Sequence, residues 1–159
     1  MTLDEFFDKL SWFYTLETNQ VSLYTEQGKA FKGTYAGKVF ERIAQIEQGH
    51  VDNIRAIFTN AGRKPSMLPG DIVASVLGMT AGKLLSLTGL DMVLKANTML
   101  EKKAMSDYAR MIHDVRAAGI HHLPQFKAIP TAGGVMSLTE ILKNNYIDED
   151  LHTAWFIMH

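Results

Sequence analysis

Four stretches of this chain carry helical periodicity, and each interrupts its apolar stripe with a glutamate. The first covers residues 3–30, with Leu10, Phe13, Glu17, Val21 and Tyr24 on one ladder. The second, over about 36–61, places Ile43, Glu47, His50 and Ile54 together. The third, over about 89–117, aligns Leu94, Asn97, Glu101, Ala104, Tyr108 and Ile112. The fourth opens on "SLTE", Ser137 to Glu140, which has the form of a capping box. It carries Leu138, Leu142, Asn145, Glu149, His152 and Phe156. Steps of three and four hold each set on one side of its helix. Every helix therefore sends one Glu inward, and two of them add a His three residues later.

An unpaired buried carboxylate costs at least several kcal/mol after relaxation. Four of them close together raise one another's pKa values unless cations neutralise them. Two divalent metals supply four positive charges against four carboxylates and leave the imidazoles neutral. A Glu and a His at i and i+3 can reach one metal together. Two such pairs, with one Glu from each remaining helix, form the di-metal carboxylate site of a ferritin-like bundle. The chain is thus expected to be all-α. We expect a ferritin-like four-helix bundle in one domain, 1–159, with an additional short apolar helical segment between helices 2 and 3. The expected metal ligands are Glu17, Glu47, His50, Glu101, Glu149 and His152. By position Glu47 and Glu149 bridge the metals and are the residues expected to act in catalysis. Glu17 and Glu101 are terminal, and each His binds one metal. The acidic run "DED" at 148–150 leaves Asp148 and Asp150 as competitors of Glu149, and Glu26 and Glu41 remain open as partners.

Composition narrows the chemistry. With no cysteine, thiolate zinc sites, iron–sulfur clusters and rubredoxin-like iron centres are ruled out. Asp, Glu and His then favour hard or borderline ions such as iron, manganese or zinc. A net charge of −1 offers no phosphate-binding surface, so nucleic acid is not an expected partner. The acidic start "MTLDEFFDKL" is unlike a signal peptide and points to a cytoplasmic protein. The apolar segment 67–94 is interrupted by Asp71, Lys83 and Asp91, and its uncharged run from Ile72 to Gly82 is too short to span a membrane. It suits core, an oligomer interface, or a face lying on a membrane.

Several residues beside the ligands are expected to support them or to fill space. Tyr24 and Tyr108 each follow a ligand by seven residues and are placed to hydrogen-bond it or to pack as core. Asn97 and Asn145 each precede a ligand by four. His121 and His122 are expected in solvent, and His113 near a helix C-terminus. Met67, Met79, Met92, Met99, Met105 and Met111 are read as core filling. The stretch "IHHLPQFKAIPTAGG" reads as an irregular connection, and no strand pattern competes with the helices.

Five stretches taken together resemble the demethoxyubiquinone hydroxylase family. They are "NQVSLYTEQ", "KGTYAGKVFERIAQIEQGHVDNIRAIF", "GRKPSMLPG", "SVLGMTAGKLLSLTG" and "MLEKKAMSDYARMI", within roughly residues 17–116. The resemblance implies a di-iron mono-oxygenase that hydroxylates a polyprenyl quinone ring with O2 in ubiquinone biosynthesis. It implies two Fe ions, with Mn also suited to the ligand set, and an external reductant such as NADH. It implies a peripheral membrane protein, on the inner membrane face, whose segment 67–94 reaches a hydrophobic quinone-like substrate. Carried over by position, its ligands fall on Glu17, Glu47, His50, Glu101, Glu149 and His152. The connection 117–136 and Asp107, where the family commonly has His, depart from the pattern. A homodimer through the apolar segment is also expected. The alternative is a ferritin- or rubrerythrin-like ferroxidase or peroxidase that handles iron or oxidative stress.

Overall fold

Three of the four long helices begin where the sequence supplies a side-chain cap. Thr2 accepts from the Glu5 backbone N–H while Glu5 returns a bond to Thr2, so α1 starts at Leu3 and runs to Ala30. Thr34 caps α2, Tyr35–Asn60, by accepting from Gly37 N–H at 3.1 Å. Gly62, at φ 69°, closes α2: its N–H reaches Thr59 O, and Arg63 N–H reaches Phe58 O. Asp71 caps the short α3, Ile72–Val76. The second half comprises α4, Leu90–Ala117, and α5, Leu138–Met158, which opens on the Ser137–Glu140 capping box. The computed structural model describes residues 1–78 and 89–159.

The four long helices form a bundle in which α1 packs mainly on α2 and α4 on α5. After α2, the described stretch 61–78 brings α3 into contact with both α1 and α4. Its backbone is fastened to α1, because Leu68 N–H donates to Thr15 Oγ1 and Ile72 N–H to Asn19 Oδ1. The additional helical segment expected between the second and third long helices is present as α3, which buries Ile72, Val73 and Ala74. Residues 79–88 of the apolar stretch, Met79 among them, lie outside the described residues.

Among the described residues, three apolar groups pack about the bundle. Phe6, Leu10, Ile57, Phe126 and Leu142 belong to one, Leu16, Leu100 and Ala104 to another, and Tyr24, Phe40, Leu94 and Phe156 to the third. The expected stripes differ from the buried ones at two steps. Val21 and Ile112 are only half-buried, while Gln20 and Met111 are enclosed. A helix of 3.6 residues per turn admits either an i+3 or an i+4 step, and packing selects between them. Met111 is core as expected, but Met67, Met92 and Met99 are exposed.

The connection 118–137 corrects the expectation that no strand forms. Two turns of 3-10 helix, Ile120–His122 and Pro124–Phe126, precede an antiparallel hairpin of β1, Ile129–Thr131, with β2, Gly134–Met136. Three-residue strands are too short to show alternation in sequence. Burial of Phe126 and Ile129 holds this hairpin to the bundle beside α2.

The α1–α2 turn depends on a close backbone approach. A Cβ on Gly37 would lie 2.2 Å from the carbonyl oxygen of Phe31. Gly37→Ala is therefore expected to lower unfolding free energy by about 1–3 kcal/mol. Gly49, in the middle of α2 with no atom near such a Cβ, should respond oppositely, with Gly49→Ala adding about 0.5–1 kcal/mol. Chemical denaturation of both variants checks the pair.

Candidate metal centre

Between the apolar groups, the four long helices bring six polar side chains to one place. Glu17 comes from α1, Glu47 and His50 from α2, Glu101 from α4, and Glu149 and His152 from α5. None is more than 5 % exposed. His50 Nδ1 lies 2.9 Å from Glu47 Oε2, 3.2 Å from Glu149 Oε1 and 3.5 Å from Glu17 Oε2. His152 Nδ1 lies 3.1 Å from Glu47 Oε1 and 3.8 Å from one oxygen each of Glu101 and Glu149. The facing atoms form two groups of four, each with its ligand atoms within 4.8 Å of one another. One is Glu17, Glu47, His50 and Glu149; the other is Glu47, Glu101, Glu149 and His152. Glu47 and Glu149 belong to both, which is the placement bridging carboxylates require.

These atoms are close, yet they do not satisfy one another. Among the described residues, both oxygens of Glu47 and of Glu149, one each of Glu17 and Glu101, and Nδ1 of both histidines lack a hydrogen-bond partner. Buried polar atoms are almost always bonded, so eight orphans turned to a common interior need a common partner. Carboxylate and imidazole donors at this spacing suit hard or borderline cations. The cluster could hold a metal ion in either group.

The surrounding bonds fix the ligands from behind. Tyr24 of α1 donates to Glu101 of α4, and Tyr108 of α4 donates to Glu17 of α1. The two phenols thus cross-brace the halves of the bundle. Both lie well above the usual tyrosine pKa, because burial and then the adjacent carboxylate disfavour the phenolate, so they stay donors. Asn145 Nδ2 supports Tyr108 at 3.1 Å. Asn97 instead exchanges amide bonds of 2.8 and 3.0 Å with Gln27.

One supporting residue was not singled out from sequence, and another was read there in a different role. Gln20 Nε2 donates to Glu101 Oε1 at 3.3 Å, and its i+3 spacing from Glu17 was an available sign. Asp148, read as a rival of Glu149, lies half-buried with Oδ2 3.0 Å from His50 Nε2. There it holds the ring with Nδ1 turned to the cluster. His152 Nε2 has no such acceptor among the described residues, so the two imidazoles are held unequally.

The other candidates lie elsewhere. Asp150, Glu26 and Glu41 are exposed, and Glu26 pairs with Lys29 at 2.7 Å. His113 and His122 are exposed, and His121 is half-buried with Nδ1 3.3 Å from Val115 O.

Without a cation the cluster balances its charge with protons. Burial, then repulsion from Glu149, raises Glu17 and Glu101 well above the usual carboxyl range. Burial works against charge on the imidazoles, but the carboxylates outweigh it, raising His50 and pushing His152 up to about 12. Burial also opposes ionisation of Glu47 and Glu149, and Glu149 repels charge on Glu47, yet the histidines lower both and a bond from Glu101 lowers Glu149 further. Protons held on Glu17, Glu101, His50 and His152 thus offset the charge of Glu47 and Glu149.

Compared with solved structures, the chain matches the E. coli stress protein YciF with a TM-score of 0.74. The match covers 97 % of this chain and 91 % of that one at 13 % identity. The fold is ferritin-like. That bundle is the architecture in which one Glu from each of two helices meets a Glu-x-x-His from each of the others. No protein-family model matches the chain, and no curated protein matches it. Among the described residues, no helix is long and apolar enough to cross a membrane.

The charge balance sets a pH dependence. Glu17 and Glu101, with a usual value of 4.5, and His50 and His152, with 6.5, bind protons more tightly folded than unfolded. Their contribution to stability is complete at low pH and is lost as pH rises through the folded values. Glu47 and Glu149, lowered on folding, act oppositely and lose their contribution below the usual 4.5. Metal held by these residues would displace the bound protons, so its stabilisation would grow with pH. The Tm of the metal-free protein is expected to fall from about pH 5 to about pH 9, while the Tm increment from added divalent metal rises. Thermal scans with and without metal check the opposed trends.

Proposed function

We propose that this chain is a di-iron carboxylate oxidoreductase that activates O2, with hydroxylation of a quinone-like ring in ubiquinone biosynthesis as its reaction. The supporting observation is the pair of four-residue groups sharing Glu47 and Glu149. One iron would be held by Glu17, Glu47, His50 and Glu149, the other by Glu47, Glu101, Glu149 and His152. Manganese also suits these donors. Bound metal supplies electrons to O2 and the oxidising power that follows.

The protein's own residues have separate tasks in this reading. Glu47 and Glu149 each present two unpaired oxygens and can change their mode of binding as the metal charge changes. Tyr24 and Tyr108 hold the terminal carboxylates in place. Asp148 keeps His50 aimed inward. Burial of all six donors excludes bulk water from the reacting centre. NADH is the proposed external reductant. Residues 67–94 are the proposed contact for a membrane-borne substrate or a second copy. A homodimer has further support from exposed Ile147, Leu151 and Met158 along α5.

A second reading, a ferroxidase or peroxidase, is favoured by the same burial. An enclosed centre admits ferrous ion, O2 or peroxide more readily than a large ring. The stress-protein description printed for YciF accords with it.

Anaerobic loading with ferrous iron should give two metals per chain, and O2 consumption with a demethoxyquinone and NADH should yield hydroxylated product. Glu149→Ala should abolish turnover; turnover that survives sinks the mechanism. Rapid consumption of peroxide, or of ferrous iron and O2 without organic product, selects the second reading. Asp148→Ala should weaken metal binding roughly 10- to 100-fold, read by titration with ferrous iron.

A further inference from the structure

A cleft opens in the seam between α1 and α4, and none of the six metal-facing side chains lines it. Phe13 and Met111, both buried, form its floor. The half-buried indole of Trp12 forms a wall. At one end Lys9 crosses the seam to Asp114 at 3.0 Å. At the other, Lys103 pairs with Asp107, and its ammonium lies 5.9 Å from the centre of the Trp12 ring. The cleft measures about 210 Å³. That holds a single ring with one small polar group, whereas drug-sized ligands need about 300 Å³ or more. Aromatic and thioether surfaces favour a flat ring. Charge decides what the ring carries. Three cations, Lys9, Lys103 and Arg110, line the cleft against two carboxylates, Asp107 and Asp114. The lysines take both carboxylates, and among the described residues the exposed guanidinium of Arg110 has no acidic partner. A guanidinium left over in this way matches a ligand carboxylate through two parallel bonds.

We propose that this cleft binds a single-ring aromatic carboxylate, its ring against Trp12 and the floor of Phe13 and Met111, its carboxylate on Arg110. Neither a bare inorganic anion nor a neutral ring uses both halves of the site. The Phe13 ring lies 4.4 Å from that of Tyr108, whose hydroxyl donates to Glu17. Those two rings separate the cleft from the buried carboxylates, so the ligand rests behind Tyr108 and touches no metal donor. Binding here requires neither metal nor oxygen chemistry. The ligand spans the seam, with its ring on α1 and its charge on α4, and adds a contact between the two halves of the bundle. Only the folded chain presents both helices, so binding should also raise the Tm.

Benzoate is the probe, and the whole chain is used free of metal so that the probe has no ion to coordinate. Calorimetric titration should give one site per chain with a Kd below about 1 mM, as suits a ligand of this size. Benzamide keeps the ring without the charge, and acetate keeps the charge without the ring. Each should bind at least roughly 10-fold more weakly. Arg110→Ala should weaken benzoate by roughly 10-fold or more, and Arg110→Lys, which keeps the charge without the fork, should restore only part of the loss. Arg116→Ala, on the same helix but outside the cleft, should leave the Kd unchanged. The chain has two tryptophans, so Trp155→Phe leaves Trp12 as the single indole, whose fluorescence should change with the same Kd. Benzoate binding no tighter than acetate, or no tighter than benzamide, overturns the site. An unchanged Kd in Arg110→Ala overturns it, as does the absence of binding up to about 10 mM. A Kd that appears only after iron loading places the carboxylate on the metal and overturns it too.

Discussion

Four carboxylates buried in the middle of one small bundle set the problem that the rest of this structure answers. Glu17, Glu47, Glu101 and Glu149 are all fully enclosed, and their mutual repulsion in a medium that screens poorly would separate the helices. Two routes to neutrality are available to the same side chains. Protons on Glu17, Glu101, His50 and His152 balance the metal-free cluster. Two divalent cations, if held there, would balance it with those protons gone. Protons and metal would then compete for the same side chains.

Holding such a cluster open requires restraint from every side. The apolar groups around the polar centre resist its expansion, and the crossed bonds of Tyr24 and Tyr108 join α1 to α4 at two levels. Because each phenol comes from one half of the bundle and its carboxylate from the other, a shift of one half disturbs both sites together. The restraint is not symmetric. His50 has Asp148 behind it and His152 has no corresponding carboxylate, so the two groups of donors share a composition but not an environment.

Much of this was legible along the chain because burial of a charged residue is rare and therefore informative. Glu17, Glu47, His50, Glu101, Glu149 and His152 could be picked out as interruptions of apolar stripes, and all six meet in the structure. The capping box at Ser137 and the stop at Gly62 marked helix ends through local hydrogen bonds that need only neighbouring residues. Less local features were not readable. Gln20 and Val21 were equally placed to follow Glu17, and only the position of α4 decided that Gln20 turns inward. The hairpin at 129–136 draws its stability from contacts of Ile129 and Phe126 with the bundle rather than from strand alternation.

The sequence by itself determined that four helices would each bury a glutamate and that two would add a histidine, because 3.6-residue periodicity and the cost of burying charge act along a single helix. The tertiary structure alone decided which neighbours hold those donors. The inward turn of Gln20, the bond from Asp148 to His50 and the reach of Tyr24 across to Glu101 all depend on how far each helix is rotated and shifted against another. Those quantities are fixed by side-chain packing between helices, which no periodicity within one helix encodes.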